Sequence, residues 1–173
     1  MEYSEKVLEH FKKPSNYGRM KNPDAIGKVG NIVCGDVMWL YIKVGKSTNG
    51  RGKGEDFIKD IKFETFGCVA AIASSSVITD LAKGRTLKEA LKISKEDVLK
   101  SLKGLPPIKV HCSFLSVDAL FDAIYNYLKA NKKLIPRNLE KNHSKTQKEN
   151  DLIKEKYKKW IKLEEEIYKT GKI

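Results

Sequence analysis

Three cysteines stand in comparable settings. "VCGDVM" places Cys34 one glycine before Asp36, "FGCVAA" places Cys68 directly after Gly67, and "VHCSF" sets His111 against Cys112. A thiolate, not a thiol, ligates metal and attacks sulfur. Three thiolates and one imidazole make a tetrahedral zinc set, and the same donors form an iron–sulfur set. Asp36 offers an oxygen donor beside the first cysteine. Separations of 34 and 44 residues contain no CxxC pair. Spacing alone therefore leaves a bland alternative open, in which each cysteine is a buried core residue and His111 an ordinary hydrogen-bonded side chain. The difference lies in whether the fold gathers them.

The segments around the cysteines allow it. Cys34 is at the mouth of a predicted strand, residues 37–44, which are β-branched and aromatic. A glycine-rich turn at 45–56 leads to a second strand at 57–66, and the two read as an antiparallel hairpin. Cys68 opens a helical segment that runs to Gly84, a C-cap residue. Thr86 with Glu89, and then Ser94, supply N-terminal caps for two further short helices, the second stopped by Gly104. "LPPIKV" is expected to be extended at its prolines. From His111 to Lys129 a long helix follows through Leu115, Ala119, Leu120, Ala123, Ile124 and Leu128. Two cysteines thus fall at helix N-termini, where unpaired N–H groups and the positive dipole end favour a thiolate. All three lie at element ends, and element ends converge at one edge of an α+β sandwich.

The remaining segments complete the predicted frame. Residues 3–13 predict a short amphipathic helix with Val7, Leu8 and Phe11 on one face, stopped by Pro14. "PSNYGRMKNPDAIG" reads as loop. Residues 131–145 read as a polar linker containing Pro136. Residues 146–169 predict a last helix whose apolar positions are Leu152, Ile153, Tyr157, Trp160, Ile161 and Ile167. Strands come first and helices afterwards, so the class is α+β: a small antiparallel sheet packed against helices, with an added C-terminal helix. Residues 1–130 are expected to form the functional domain, with 131–173 as linker and amphipathic helix. That helix is expected to pack on the core or on another copy of the chain. Its loss is expected to leave the chemistry at the cysteines intact.

Composition narrows the function classes. The chain has 173 residues, 40% hydrophobic and 32% charged, which suits one domain with an appendage. No apolar run is long enough to span a bilayer, and "MEYSEKVLEHF" lacks the layout of a secretory signal, so the expected compartment is the cytoplasm. An odd number of cysteines, three, excludes complete internal disulfide pairing. Of the net charge of +12, +7 belongs to residues 126–173, with fourteen basic and seven acidic residues. Lysine dominates arginine and acids are interleaved with it, which favours a solvated surface over a nucleic-acid interface. "VGKST" at 44–48 imitates the end of a phosphate-binding loop. The glycine that such a loop needs five residues before Gly45 is Leu40, inside the strand, and the motif fails. His10 and His143 lie among charged residues and read as surface histidines.

Longer phrases carry a resemblance. "YSEKVLEHFKKPSNYG", "CGDVMWLYIKV", "FETFGCVAAIASSSVITDLAKG" and "LPPIKVHCSFLSVDAL" resemble, in order and spacing, the IscU/NifU-type iron–sulfur cluster assembly scaffolds over about residues 2–130. The resemblance implies the SufE/NifU-like fold with about three strands. It implies a carrier rather than an enzyme: sulfur accepted from a pyridoxal-phosphate cysteine desulfurase, iron added, a [2Fe–2S] cluster formed and passed to apo-proteins. It makes Cys34, Cys68 and Cys112 the cluster-ligating or sulfur-accepting cysteines, Asp36 the carboxylate that keeps the cluster labile, and His111 the exchangeable fourth ligand. Lys109 stands where the family keeps a lysine near the site. Leu105, Pro106, Pro107, Ile108 and Lys109 resemble the segment shown to a dedicated Hsp70-type chaperone. Zinc can occupy the same ligands. Val69 departs from the small residue often found after the second cysteine and is expected to narrow the pocket. Two alternatives remain: a SufU-type zinc-dependent sulfurtransferase, which generally lacks the histidine before the third cysteine, and a zinc-structured interaction module.

Overall fold

The computed structural model describes residues 2–31, 35–47 and 54–170; of 156, 157 and 159–170 only the helical backbone is described. Helix α1 (Glu5–Lys12) starts where the Ser4 hydroxyl accepts the Val7 N–H. Strands β1 (Ala25–Gly30), β2 (Val37–Lys46) and β3 (Asp56–Phe66) form an antiparallel sheet in the order β1-β2-β3. Helices α2 (Val69–Ala82), α3 (Leu87–Ala90) and α4 (Lys95–Ser101) follow, then a 3-10 turn (Pro107–Lys109), α5 (His111–Ala130) and α6 (Arg137–Thr170). No described helix is long and apolar enough to cross a membrane.

Strand alternation builds the core. Met38, Leu40 and Ile42 face inward opposite Thr65, Phe63 and Ile61, and all but Thr65 are buried. Ala73, Val77 and Ile78 of α2, with Ala119, Leu120, Ala123 and Ile124 of α5, close over that face. Helix α5 comes closest at Gly27: any Cβ there would collide with the Ala119 carbonyl and the Ala123 amide. Glycine at 27 and alanines at 119 and 123 therefore let helix and strand touch backbone to backbone.

The predicted caps of α3 and α4 are present. Thr86 with Glu89 and Ser94 with Asp97 each form a reciprocal box. Gly84 and Gly104 take positive φ of 81° and 94° just past their helices.

Three expectations are corrected. The segment read as loop, residues 14–27, includes the start of β1, whose inward residues Ala25, Gly27 and Val29 are buried. Two glycines in six residues hide its alternation. Residues 107–109 are not extended but form a 3-10 turn, because Pro107 at the first position lacks only an N–H that such a turn leaves unpaired. The linker assigned to 131–145 is mostly helix. Pro136 offers its carbonyl to the Leu139 and Glu140 amides, and α6 runs unbroken from Arg137.

Candidate metal centre

Residue 67 is glycine because Asp36 needs its space. A Cβ on Gly67 would lie 2.9 Å from the Asp36 Cγ and 2.9 Å from the Ala71 Cβ. Asp36 is itself set by its backbone: its carbonyl accepts the Asn31 N–H at 2.9 Å, and Gly35, at φ 73°, donates to the Asn31 carbonyl at 2.8 Å. Only glycine adopts that φ without strain. The Asp36 carboxylate is thus held, almost fully buried, against the start of α2.

Two helix starts face it. Cys68 is the residue that caps α2, in extended conformation and with no side-chain capping bond. Cys112 is the second residue of α5, whose start also lacks a side-chain cap. Neither helix has an acidic residue in its first turn. The N–H groups and dipole ends of both helices are therefore directed at this one place. Cys68 Sγ lies 3.7 Å from Cys112 Sγ and 3.8 Å from Asp36 Oδ2, and Cys112 Sγ lies 3.7 Å from the same oxygen. Ligands on a tetrahedral ion with bonds of about 2.3 Å stand about 3.8 Å apart, so this triangle is the size of one face of such a site. One ligand atom each of Asp36, His111 and Cys112 lie within 4.8 Å of one another. The Nε2 of His111 is buried without a hydrogen-bond partner among the described residues, a state that costs free energy unless something binds it.

The sequence-predicted residues divide accordingly. Asp36, Cys68, His111 and Cys112 are brought together. Cys34 lies outside the described residues. Lys109 is close enough for its ammonium to be held above the ordinary lysine range, first by the charge of Cys68, then, against some desolvation, by Tyr3, Cys112 and Asp36. Leu105 packs beside Ala70, Ala71 and Cys112, whereas Ile108 points out, 70% exposed. Val69 packs on the main core.

Tyr3 was not anticipated. It packs against the same small cluster, and burial, followed by the charge of Cys68, raises its phenol above the usual value. Nothing local marks it, since it precedes a helix far away in sequence. His10 and His143 also differ from surface residues: His10 bonds the Ser76 hydroxyl at 2.8 Å, and His143, on α6, packs against Asp122 and Tyr125 of α5.

Comparison with known proteins identifies the family and the fold. The model of the NifU-like N terminal domain matches residues 2–134. The chain is 50% identical over 132 residues to the iron-sulfur cluster assembly scaffold protein IscU 1 of Archaeoglobus fulgidus, covering 76% of this chain and 80% of that one. It is 45% identical over 130 residues to IscU of Escherichia coli K12, covering 73% and 94%. Among solved structures, the N-terminal part of a NifU-like protein from Brucella abortus superposes with a TM-score of 0.56 over 73% of this chain and 94% of that one, at 21% identity. That last likeness speaks for the fold alone. The match along residues 2–134 shows that the chain belongs to the family of NifU-like N-terminal domains.

Proposed function

We propose that the chain is a scaffold on which an iron–sulfur cluster is built and from which it is handed on. The observation that carries this reading is the triangle of Asp36, Cys68 and Cys112 at 3.7–3.8 Å, with a ring nitrogen of His111 within 4.8 Å of donor atoms of Asp36 and Cys112. A permanent electron carrier is best served by four thiolates. Here a carboxylate and an imidazole stand among the donors, and a hard oxygen holds iron less firmly than sulfur does. Weak holding suits a cargo that must leave. The names of the Archaeoglobus and Escherichia relatives support the same role.

The cargo in this reading is a [2Fe–2S] cluster held by Cys34, Cys68, Cys112 and either Asp36 or His111. Sulfur arrives as the outer atom of a persulfide on a cysteine desulfurase. A scaffold thiolate attacks it, one S–S bond forms as the donor's breaks, and the donor leaves as thiolate. Two electrons from a reductant protein then convert that sulfur to sulfide beside the iron. Lys109 stabilises the negative charge that gathers here. Ile108, exposed beside Pro106 and Pro107, gives an Hsp70-type chaperone an apolar handle. Apo iron–sulfur proteins of the cytoplasm receive the cluster. Zinc fits the same donors and is the expected occupant where iron is scarce.

Anaerobic incubation with desulfurase, cysteine, ferrous iron and a reductant tests the reading. It predicts visible absorption with equal iron and acid-labile sulfide. Stoichiometric zinc that persists, with no cluster formed, would favour a zinc-structured module. Persulfide turnover that requires zinc would favour the sulfurtransferase. Asp36→Ala is expected to lengthen the life of the bound cluster and slow its transfer to an apo-ferredoxin. Unchanged transfer would remove Asp36 from the release step.

A further inference from the structure

The sheet ends at β1, and a strand edge exposes unpaired N–H and C=O groups. Here side chains from two helices satisfy them in sequence. Asn126 of α5 donates to the Ile26 carbonyl at 2.9 Å, and Asp122 accepts the Lys28 N–H at 2.9 Å. Asn150 of α6 then takes two groups at once. Its Nδ2 donates to the Lys28 carbonyl at 2.8 Å and its Oδ1 accepts the Gly30 N–H at 2.9 Å. One side chain thereby repeats what a neighbouring strand would do. Gly30 permits the approach, since a Cβ there would sit 2.5 Å from Ile153 Cδ1.

Gly30 is also where the sheet leads into the metal centre. It pairs with Val37 across the ladder. The next residue, Asn31, donates to the Asp36 carbonyl. From Asn150 the path to Asp36 is one hydrogen bond, one peptide unit and one further hydrogen bond, which ends on the Asp36 main-chain carbonyl. Asn150 lies beyond residue 134, outside the span shared with the family. We infer that Asn150 is a positioning residue for the metal centre: by clamping Lys28 and Gly30 it holds the β1–β2 ladder closed next to Asp36 and so sets how tightly metal is kept. Isolated edge strands fray at their ends. A frayed Gly30 would let the Asn31–Asp36 pair open and carry the carboxylate away from Cys68 and Cys112.

The inference rests on the scaffold reading only for the identity of the cargo. The test therefore uses the full chain and zinc alone, with two readouts. In Asn150→Ala, hydrogen exchange at the Gly30 and Asn31 amides is expected to accelerate, and zinc release to a chelator to quicken about 10-fold, the lower range for partners that orient ligands. Asn150→Asp keeps the acceptor for Gly30 and loses the donor to Lys28, so an intermediate release rate is expected. His143→Ala loosens α6 without touching Gly30, and serves as the control for stability lost without the clamp. In an Asp36→Ala background the Asn150 effect on zinc release should disappear. Unchanged exchange at Gly30, release no faster than in the His143 variant, or an undiminished effect without Asp36 would each overturn the proposal. Failure to build a cluster, with these results intact, would count against the scaffold reading and not against the clamp.

Discussion

The metal centre and the β1 edge are built on opposite principles. At the centre, two helix N-termini lack side-chain caps and a buried imidazole nitrogen has no hydrogen-bond partner among the described residues. At the edge, the backbone groups of Ile26, Lys28 and Gly30 are met by Asn126, Asp122 and Asn150. Asp122 also accepts from Asn126 and bonds His143 at 2.6 Å, and His143 stacks on Tyr125 with ring centroids 3.7 Å apart. Unmet polar groups are where a ligand has something to gain by binding; met ones hold a fold in place. Binding capacity and stability are thus concentrated in different regions, joined at Gly30.

Substitutions where α6 docks on α5, away from Asn150, should change stability far more than they alter the metal donors. The largest effect is expected at Leu139. It is 2% exposed and belongs to the main core although it lies in α6. Leu139→Ala should cost about 2–5 kcal/mol in chemical denaturation, while zinc stoichiometry in the folded fraction stays unchanged. A loss below about 0.5 kcal/mol, the range of surface substitutions, would mean that α6 is not docked.

A smaller effect of opposite sign is expected at Asp118, which faces Asn142 of α6. Burial raises its carboxyl above the ordinary range, against the pull of Asn142 and Lys145. A raised folded value means that the charged form is disfavoured in the fold. The cost is absent below the unfolded value, grows as pH rises from there and is full above the folded value. Asp118→Asn should therefore raise Tm at neutral pH and leave it unchanged in acid. A gain of equal size at both pH values would assign it to packing rather than charge.

Much of the site was legible in sequence because its residues are chemically rare and punctuated. Gly-Cys before a helical run and His-Cys after Pro-Pro mark both helix starts, and CGD marks the carboxylate. Family phrases gave these residues their roles. The edge region was not legible. Residues 137–145, "RNLEKNHSK", contain one apolar residue, Leu139, so no hydrophobic period signals their helix. They dock through polar contacts, Asn142 on Asp118 and His143 on Asp122, which depend on partners some twenty residues upstream. Strand β1 was hidden likewise: Gly27 and Gly30 lower its strand propensity, and both are glycine because helices press on them. Of the stripe expected on the last helix, Leu152 is 53% exposed and Ile153 half-buried against Gly30. Tyr157, Trp160, Ile161 and Ile167 lie outside the described side chains. A tail dispensable to the site was the expectation for residues 136–173; the role proposed for Asn150, which bonds Gly30, is its alternative, and the Asn150→Ala variant decides between them.

The central claim is that separate element ends assemble one mixed-donor metal centre. X-ray absorption at the zinc edge of the zinc-loaded full chain tests it most directly. The account predicts a shell of sulfur at about 2.3 Å together with nitrogen or oxygen at about 2.0–2.1 Å. A shell of nitrogen and oxygen alone, with no sulfur, would contradict it.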